Sequence, residues 1–236
     1  MPAVPHLTDT EEIEYKLAAV GPDPRATLDR IAALEMLGGY AIGPVMPHQI
    51  HDIYFDTPER GLGDLRLSLR LRTQDGHTRF TAKGSLGSQN GLFRRQELEL
   101  PAAWDNWCQV RDALNGAGAA LTVANDQHGG PRDWIVRAGL QVTQDRETHR
   151  RARNVLVGDV PAAELAIDAT TYHLGPRTVE YREIEIEQLP GSAIDARALG
   201  ELLQLLFPGE LEPATMGKYS RGLKLSAQEQ AAGESR

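Results

Sequence analysis

The stretch Glu12-Ile13-Glu14-Tyr15-Lys16, close to the start of the chain, alternates charged and apolar side chains with a period of two. Successive side chains of an extended strand point to opposite faces, so one face carries the three charged residues and the other carries the two apolar ones. In isolation, such a strand is typical of a sheet whose charged face meets water. One strand of this kind therefore fits a solvated surface as well as a polar interior.

Three further stretches repeat the alternation and change that interpretation. They are Leu-Ser-Leu-Arg-Leu-Arg at residues 67–72, Arg-Gln-Glu-Leu-Glu-Leu at 95–100 and Glu-Ile-Glu-Ile-Glu at 183–187. Four strands of one pattern indicate a shared charged surface. In a closed barrel, alternate residues of every strand face the lumen, so these strands predict a polar tunnel whose apolar outer faces are covered by helices.

The order of the predicted elements fits such a barrel. Strands are predicted at the opening stretch and at 48–55, 67–73, 78–83, 92–100, 141–157, 163–171 and 178–188, with helices at 25–38, in two pieces within 103–139 and at 192–207. This pattern predicts an α+β fold, an eight-stranded antiparallel β-barrel with helices packed outside, in a single domain of residues 1–236. The Gly-rich residues 84–91 link two strands and lack the Gly-Lys-Ser/Thr ending of a phosphate-binding loop, so they are predicted to form a mobile hairpin loop.

Composition narrows the classes of partner. The chain has 25 Lys and Arg against 33 Asp and Glu, a net charge of −8, which argues against a general nucleic-acid-binding surface. Cys108 is the only cysteine, so an intramolecular disulfide and a multi-cysteine metal site are excluded. The sequence shows neither a basic segment followed by an apolar run at its start nor an apolar run of about 18 residues. We therefore expect a cytoplasmic protein, monomer or homodimer, without a nucleic-acid or membrane partner.

The predicted lumen carries charges of both signs. The acidic residues are Glu12, Glu14, Glu97, Glu99, Asp168, Glu183, Glu185 and Glu187, and the basic residues are Lys16, Arg70, Arg72, Lys83, Arg95, Arg151, Arg153 and Lys218. An unpaired ion inside a protein costs several kcal/mol or more, so these groups need one another, water, a metal or a ligand. A chain of phosphates with Mg²⁺ or Mn²⁺ satisfies both sets together. The register between Arg146 and Arg153 stays open, because four arginines crowd that segment.

An ordered series of motifs resembles the CYTH superfamily, also called triphosphate tunnel metalloenzymes. The series consists of Glu12-x-Glu14-x-Lys16, Tyr54-Phe55-Asp56-Thr57, Leu69-Arg70-Leu71-Arg72, Lys83-Gly84, Arg95-x-Glu97-x-Glu99, Asp168, Glu183-x-Glu185 and Gly217-Lys218-Tyr219-Ser220-Arg221. The resemblance covers about residues 11–225. It implies an eight-stranded antiparallel tunnel that binds a triphosphate and a divalent metal, usually to hydrolyse the terminal phosphoanhydride.

The resemblance also implies roles for the charged residues. The metal ligands would be Glu12, Glu14, Glu183 and Glu185, whose hard carboxylate oxygens suit Mg²⁺ or Mn²⁺. The phosphate contacts would be Lys16, Arg70, Arg72, Lys83 and Lys218, joined by Arg95 from its inward parity and by Arg151 and Arg153 from their segment. Glu97, Glu99 or Asp168 would orient the attacking water, and Lys83 is counted with this catalytic group as well.

The function implied is metal-dependent hydrolysis of a triphosphate, with inorganic tripolyphosphate as the favoured substrate because the sequence shows no base-recognition motif. Alternatives on the same tunnel are a class IV-type adenylate cyclase and a thiamine or nucleoside triphosphatase. An alternative of another class is a non-catalytic polyphosphate- or nucleotide-binding module. Such a module would dispense with part of the carboxylate set, and the presence of both acidic pairs favours an enzyme.

Overall fold

The computed structural model describes residues 6–8, 10–123 and 127–234. The strands are β1 (Glu11–Ala19), β2 (Met36–Leu37), β3 (Tyr40–Ile42), β4 (Met46–Asp56), β5 (Leu67–Gln74), β6 (His77–Gln89), β7 (Leu92–Pro101), β8 (Gln141–Val157), β9 (Val160–Leu174), β10 (Arg177–Gln188) and β11 (Leu211–Pro213). The helices are α1 (Pro24–Ala32), α2 (Gly61–Asp64), α3 (Trp104–Gly116), α4 (Pro131–Arg137), α5 (Ala196–Leu206) and α6 (Lys218–Glu234). None of the helices in the described ranges is long and apolar enough to span a membrane.

Eight long strands close into a barrel. Their order around it is β1, β10, β9, β8, β4, β5, β6, β7 and back to β1, and every neighbouring pair is antiparallel. Closure leaves no free edge among these strands. The predicted eight-stranded antiparallel barrel with helices outside is confirmed.

One side of the outer surface packs against α1 and α5. The β1–β10 ladder pairs Leu17 with Ile184, and both side chains are fully buried on this side. From the helices, Leu28, Ile31, Leu199 and Leu203 join the same cluster. The charged residues alternate with these apolar ones along each strand, so burying the apolar face outside turns the charged face into the lumen.

The opposite side of the barrel packs against α3 and α4. Phe80 of β6 is fully buried against Trp107 of α3, with ring centroids 5.5 Å apart, and lies 6.5 Å from the Trp134 ring of α4. The predicted helices of this middle section are therefore present. The break predicted between them, at 125–132, includes residues 125 and 126, which lie outside the described residues.

The Gly-rich segment 84–91 differs from the prediction. Strand β6 continues to Gln89 and pairs with β7, with a register shift between Ser85 and Gly87. Gly87 has φ 149°, a conformation that side-chain-bearing residues rarely adopt, which explains why a glycine stands at the irregularity. The predicted hairpin loop is wrong for most of its length, because only Asn90 and Gly91 make the turn.

Two helices also depart from the predicted pattern. Helix α1 ends at Ala32 rather than near residue 38, because the following residues enter the short β2–β3 hairpin. Helix α6 was not predicted from the sequence, since its many polar residues give it little apolar periodicity. Its start places Lys218 inside the barrel, where the side chain is buried.

Candidate active site

The lumen contains a cavity of about 1000 Å³. Twelve residues predicted to face the tunnel line it, namely Glu12, Glu14, Lys16, Arg70, Arg72, Lys83, Arg95, Glu97, Glu99, Glu185, Glu187 and Lys218. Two further predicted residues, Asp168 and Glu183, are fully buried in contact with Lys218. The strands that alternate charged and apolar residues thus bring most of the predicted charged side chains into one cavity.

Three carboxylates come together on the β9–β10 side of the lumen. Asp168 and Glu183 are directly opposite each other in the β9–β10 ladder, and one oxygen from each of Asp168, Glu183 and Glu185 lies within 4.8 Å of the others. The Lys218 Nζ lies 2.8 Å from Asp168 Oδ2 and 2.7 Å from Glu185 Oε1, and it also contacts Glu183. The second oxygen of Glu183 is buried without a hydrogen-bond partner.

The pKa values of these carboxyls diverge. Burial opposes ionisation of Glu185, but Lys16, Lys218 and Arg150 outweigh it and hold its pKa well below the usual range. Burial likewise opposes ionisation of Asp168, whose pKa is nevertheless lowered by Arg150 and Lys218. At Glu183 burial prevails over the attraction of Lys218, so its pKa is raised. Glu183 is therefore the member of the cluster that holds a proton most tightly.

The donor set of this cluster fits a divalent cation. Carboxylate oxygens are the hard ligands that Mg²⁺ and Mn²⁺ prefer, and one oxygen of Glu183 has no hydrogen-bond partner among the described residues, which leaves it available to a metal. This cluster differs from the predicted ligand set in two respects, because Glu12 and Glu14 lie outside it and Asp168 lies within it. Asp168, predicted to orient water, stands with Glu183 and Glu185, where it would serve as a metal ligand.

The other predicted acidic pair, on β1, is held by basic side chains. Lys83 Nζ lies 2.5 Å from Glu12 Oε2, and Lys16 Nζ lies 2.7 Å from Glu14 Oε2. Arg95 also contacts Glu14. Because Lys16 contacts Glu185 as well, its ammonium links the β1 carboxylates to the three-carboxylate cluster.

Lys83 and Glu97 form a further charged pair on the wall of the lumen. Lys83 Nζ lies 3.1 Å from Glu97 Oε2, and Arg70 Nη2 lies 3.6 Å from Glu97 Oε1. Burial disfavours both charges, yet the pKa of Lys83 is raised by Glu12 and Glu97, and that of Glu97 is lowered by Lys83 and Arg70. Lys83 is thus a fixed cation rather than a base, and Glu97 stays an anion.

Glu99 lies in a different environment from Glu97. Its carboxylate accepts a hydrogen bond from Arg79 at 2.8 Å and another from Thr81 at 3.1 Å. Arg79 is half exposed, so this group belongs to the rim of the cavity. Of the two carboxylates on β7, Glu97 is the one in contact with lumen cations on both sides.

The predicted placement of Arg151 and Arg153 in the lumen is wrong. Arg151 points outward and donates to Asp29 Oδ1 at 2.8 Å. Arg153 is buried outside the lumen, where it donates to the carbonyl oxygens of Ala32, Leu34, Ile42 and Gly43 and so ties the end of α1 and the β2–β3 hairpin to β8.

Two other arginines of β8, Arg146 and Arg150, line the cavity instead. Arg150 donates to both oxygens of Asp168, at 2.9 and 2.7 Å, and to Glu185 Oε2 at 2.6 Å. The cross-strand register decides this choice, since Arg150 stands opposite Asp168 in the β8–β9 ladder. Arg146 and Arg150 are even-numbered and Arg151 and Arg153 are odd-numbered, so the two pairs point to opposite faces of the strand. The sequence does not show which pair faces inward.

Asp52 is a buried charge that the motif pattern did not single out. It lies on β4, opposite Arg72 of β5 and Arg146 of β8, and only 1% of its surface is exposed. Burial opposes its ionisation, but Arg70, Arg72 and Arg146 hold its pKa well below the usual range. Its position two residues before Tyr54, on the same face of the strand, is the signal in the sequence that points to it.

Glu187 gives the metal-free protein a predicted pH dependence. Burial, reinforced by Glu12 and Glu14, raises its pKa to about 8. A carboxyl with a raised pKa contributes stability that is full below the unfolded value near 4.5 and is lost as pH rises toward 8. We expect the free energy of unfolding of the wild type, measured in EDTA, to fall as the pH rises from 5 to 9. This fall should exceed the fall measured for Glu187→Gln by up to a few kcal/mol.

Urea unfolding at several pH values measures this difference. Glu180→Gln is the matched control, because Glu180 is on the same strand with 62% of its side chain exposed. The control should follow the wild-type pH profile. Parallel profiles for wild type and Glu187→Gln would contradict the raised pKa.

The fold agrees with the comparisons to known proteins. The chain belongs to the CYTH family, since the model of the CYTH domain matches residues 10–209. No curated protein matches the sequence.

Among solved structures, a candidate adenylyl cyclase of Hippeastrum, described as having a dominant triphosphatase activity, superposes with a TM-score of 0.57 at 19% identity, over 89% of this chain and 93% of that one. A candidate adenylate cyclase of Bacillus halodurans gives 0.52 at 20% identity, over 89% and 97%. A protein of Pyrococcus horikoshii gives 0.50 at 18% identity, over 86% and 94%. At these identities, the similarity shows the shared fold.

Proposed function

We propose that the protein is a metal-dependent triphosphatase that hydrolyses inorganic tripolyphosphate to pyrophosphate and orthophosphate inside the tunnel. The observation that carries this proposal is the joint presence, around one cavity, of a three-carboxylate cluster and a wall of lysines and arginines. The substrate is a small molecule, and we propose no nucleic-acid partner and a cytoplasmic location. The dominant triphosphatase activity of the Hippeastrum protein is consistent with hydrolysis on this fold.

The cations of the lumen suit a polyanion. Arg70, Lys83 and Arg95 line the cavity and stay protonated, with pKa values raised by neighbouring carboxylates against the opposing effect of burial. Their charges are fixed before any ligand enters, so little reorganisation is needed when phosphate oxygens approach. Phosphoryl transfer depends mainly on such charge stabilisation and alignment, and a covalent nucleophile is unnecessary.

The carboxylates divide into two roles. Asp168, Glu183 and Glu185 would hold the divalent ion, which when bound neutralises phosphate oxygens and lowers the pKa of a coordinated water. Glu97 is the carboxylate that we assign to orient the attacking water, because it lines the cavity and stays ionised between Lys83 and Arg70. Glu99 is held by Arg79 and Thr81 and is left out of this role.

Product analysis tests the proposal. The purified protein is incubated with tripolyphosphate, ATP or thiamine triphosphate, each with Mg²⁺, with Mn²⁺ or with EDTA, and the products are followed by ³¹P NMR. We expect metal-dependent release of orthophosphate and pyrophosphate, fastest from tripolyphosphate. Cyclic AMP and pyrophosphate from ATP would instead identify a cyclase, and binding without turnover would identify a binding module.

The neighbouring residues Arg150 and Arg151 give a matched pair of variants. Arg150 orients two carboxylates of the cluster, and removing such a supporting partner of metal ligands typically costs about tenfold to a hundredfold. We therefore expect Arg150→Gln to lower kcat/KM for tripolyphosphate by about that factor. Arg151→Gln should leave it unchanged, because Arg151 contacts Asp29 on the outer surface. Equal effects of the two variants would contradict the placement of the β8 arginines.

A further inference from the structure

One end of the lumen contains three arginines around a single carboxylate. Arg72 donates to Asp52 through Nε at 2.8 Å and through Nη2 at 3.0 Å, and Arg146 donates through Nη2 at 2.9 Å and through Nε at 3.3 Å. Arg70 Nε lies 3.7 Å from the same carboxylate, too far for a hydrogen bond. Asp52 thus faces three positive charges, and Glu97 Oε1, 3.6 Å from Arg70 Nη2, supplies a second negative charge beside this group, which keeps a net positive charge.

Two of these arginines, Arg70 and Arg146, line the cavity and carry unused donors. Within the described part of the chain, Arg70 Nε and Arg146 Nη1 are buried without a hydrogen-bond partner. Tyr54 fixes the same two side chains from another direction, since its hydroxyl accepts from Arg146 Nη2 at 2.7 Å and from Arg70 Nη1 at 3.2 Å. Buried donors without partners are costly, so they mark the place where an anion would be bound.

Asp52 itself does not reach the cavity. It is absent from the cavity lining and lies behind the arginines. Its two oxygens occupy the Nε–Nη2 edge of Arg72, which is the edge that a guanidinium commonly uses to grip a carboxylate or phosphate. Asp52 therefore fixes the orientation of the Arg72 guanidinium, and only the remaining N–H groups of Arg72 are available to a ligand.

We propose that Asp52 is a positioning residue that orients Arg72 and Arg146 so that the free donors of the three arginines converge on one end of a bound phosphate chain. This inference rests on the proposed function, because it names the part of the chain that recognises the triphosphate. Asp52 acts through the arginines and touches no substrate. Its negative charge lowers the positive charge of the subsite, and the order that it imposes outweighs that loss.

The Asp52→Asn variant shows whether Asp52 positions the arginines or only neutralises their charge, because the two roles change the Kd for tripolyphosphate in opposite directions. The variant carries one more positive charge, so a carboxylate that only neutralises charge would make tripolyphosphate bind more tightly after substitution. A positioning carboxylate predicts the opposite, a Kd for tripolyphosphate about tenfold or more higher, as expected for misplaced binding groups. Calorimetric titration in EDTA measures this Kd without any contribution from metal. An unchanged or lower Kd would overturn the inference.

Two further readouts exclude a general structural effect. Asp145→Asn is the matched control, because Asp145 precedes Arg146 on β8 but pairs with His51 on the outer surface, and it should leave the Kd unchanged. The affinity of Asp52→Asn for Mn²⁺, followed by electron paramagnetic resonance, should equal that of the wild type, because Asp52 makes no contact with the three-carboxylate cluster. A parallel loss of Mn²⁺ affinity would show that the substitution perturbs the whole lumen and would overturn the positioning role.

The wild-type protein provides a test that does not depend on a folded variant, and the first part of this test does not depend on the substrate. In ¹⁵N–¹H spectra of the arginine side chains, the Nε–H groups of Arg72 and Arg146 should exchange slowly with water, whereas that of Arg70 should exchange faster. On addition of tripolyphosphate, the Arg70 signal should shift and the Arg72 signal should stay. A shift of Arg72 with loss of its protection would show that Asp52 is displaced and would overturn the inference. A wild type that binds no tripolyphosphate would refute the proposed function and the phosphate-chain role of Asp52, yet the protection of Arg72 would still report its orientation by Asp52.

Discussion

Substituting Glu185 by Gln is expected to abolish metal-dependent hydrolysis of tripolyphosphate, with kcat/KM falling about a hundredfold or more. Glu185 belongs to the three-carboxylate cluster and lines the cavity, and its oxygens contact Lys16, Lys218 and Arg150. The neutral amide removes one hard anionic ligand and leaves these three cations with less counter-charge. Mn²⁺ affinity, measured in parallel, should fall together with activity.

Glu180→Gln is the control for this substitution. Glu180 lies on the same strand as Glu185, but its side chain is 62% exposed and contacts Arg182. It should keep wild-type activity and wild-type Mn²⁺ affinity. Thermal unfolding of both variants shows whether a loss of activity reflects a loss of folded protein. A folded Glu185→Gln variant with full activity would contradict the placement of the metal.

Replacing Gly200 by Ala is expected to destabilise the protein, although alanine is ordinarily the better helix former. Gly200 lies within α5, and a β-carbon added there would stand 2.1 Å from Cδ1 of the Tyr15 ring. Tyr15 is only 3% exposed, so the ring cannot move without shifting β1. Overpacking costs about 1 to 3 kcal/mol, and a separation of 2.1 Å puts this site at the upper end, which exceeds the gain of about 1 kcal/mol from helix propensity. We expect a net loss of about 2 kcal/mol and a Tm lower by about 4 to 8 °C.

Gly116→Ala is the matched control in another helix. Gly116 is the last residue of α3, and a β-carbon added there meets no atom within 4 Å. The substitution should raise the free energy of unfolding by about 0.5 to 1 kcal/mol.

The Gly200 substitution should also raise the KM for tripolyphosphate, because Tyr15 separates Glu14 and Lys16 on β1. Stabilisation by both alanines would contradict the close packing of α5 on β1.

The barrel was predictable because one periodic pattern recurs on several strands. Each alternating strand could face its charged side to bulk water or to a closed lumen. Only the tunnel buries the apolar residues of all these strands, such as Leu17 and Ile184, beneath helices. Helix α6 was not predictable in the same way. Its sequence lacks a strong apolar stripe, and its place is fixed by contacts such as the hydrogen bond from the Tyr172 hydroxyl to the Lys218 carbonyl oxygen.

The site residues were predictable on strands whose alternating pattern shows which residues face the lumen. They were not predictable on a strand whose charged residues occupy both faces. Glu12, Glu14 and Lys16 were placed correctly from their own strand. On β8, four arginines occupy both parities, and only pairing with Asp52 on β4 and Asp168 on β9 decides that Arg146 and Arg150 face inward. Cross-strand partners are long-range information, which no local pattern contains.

Anomalous diffraction from crystals grown with Mn²⁺ and tripolyphosphate tests whether the metal and the substrate bind together in the lumen. We expect a manganese peak bound by Asp168, Glu183 and Glu185, with the Lys218 ammonium displaced toward the ligand and the phosphate chain extending past Lys83 toward Arg70. A manganese ion held elsewhere, or tripolyphosphate bound on the outer surface of the barrel, would contradict it.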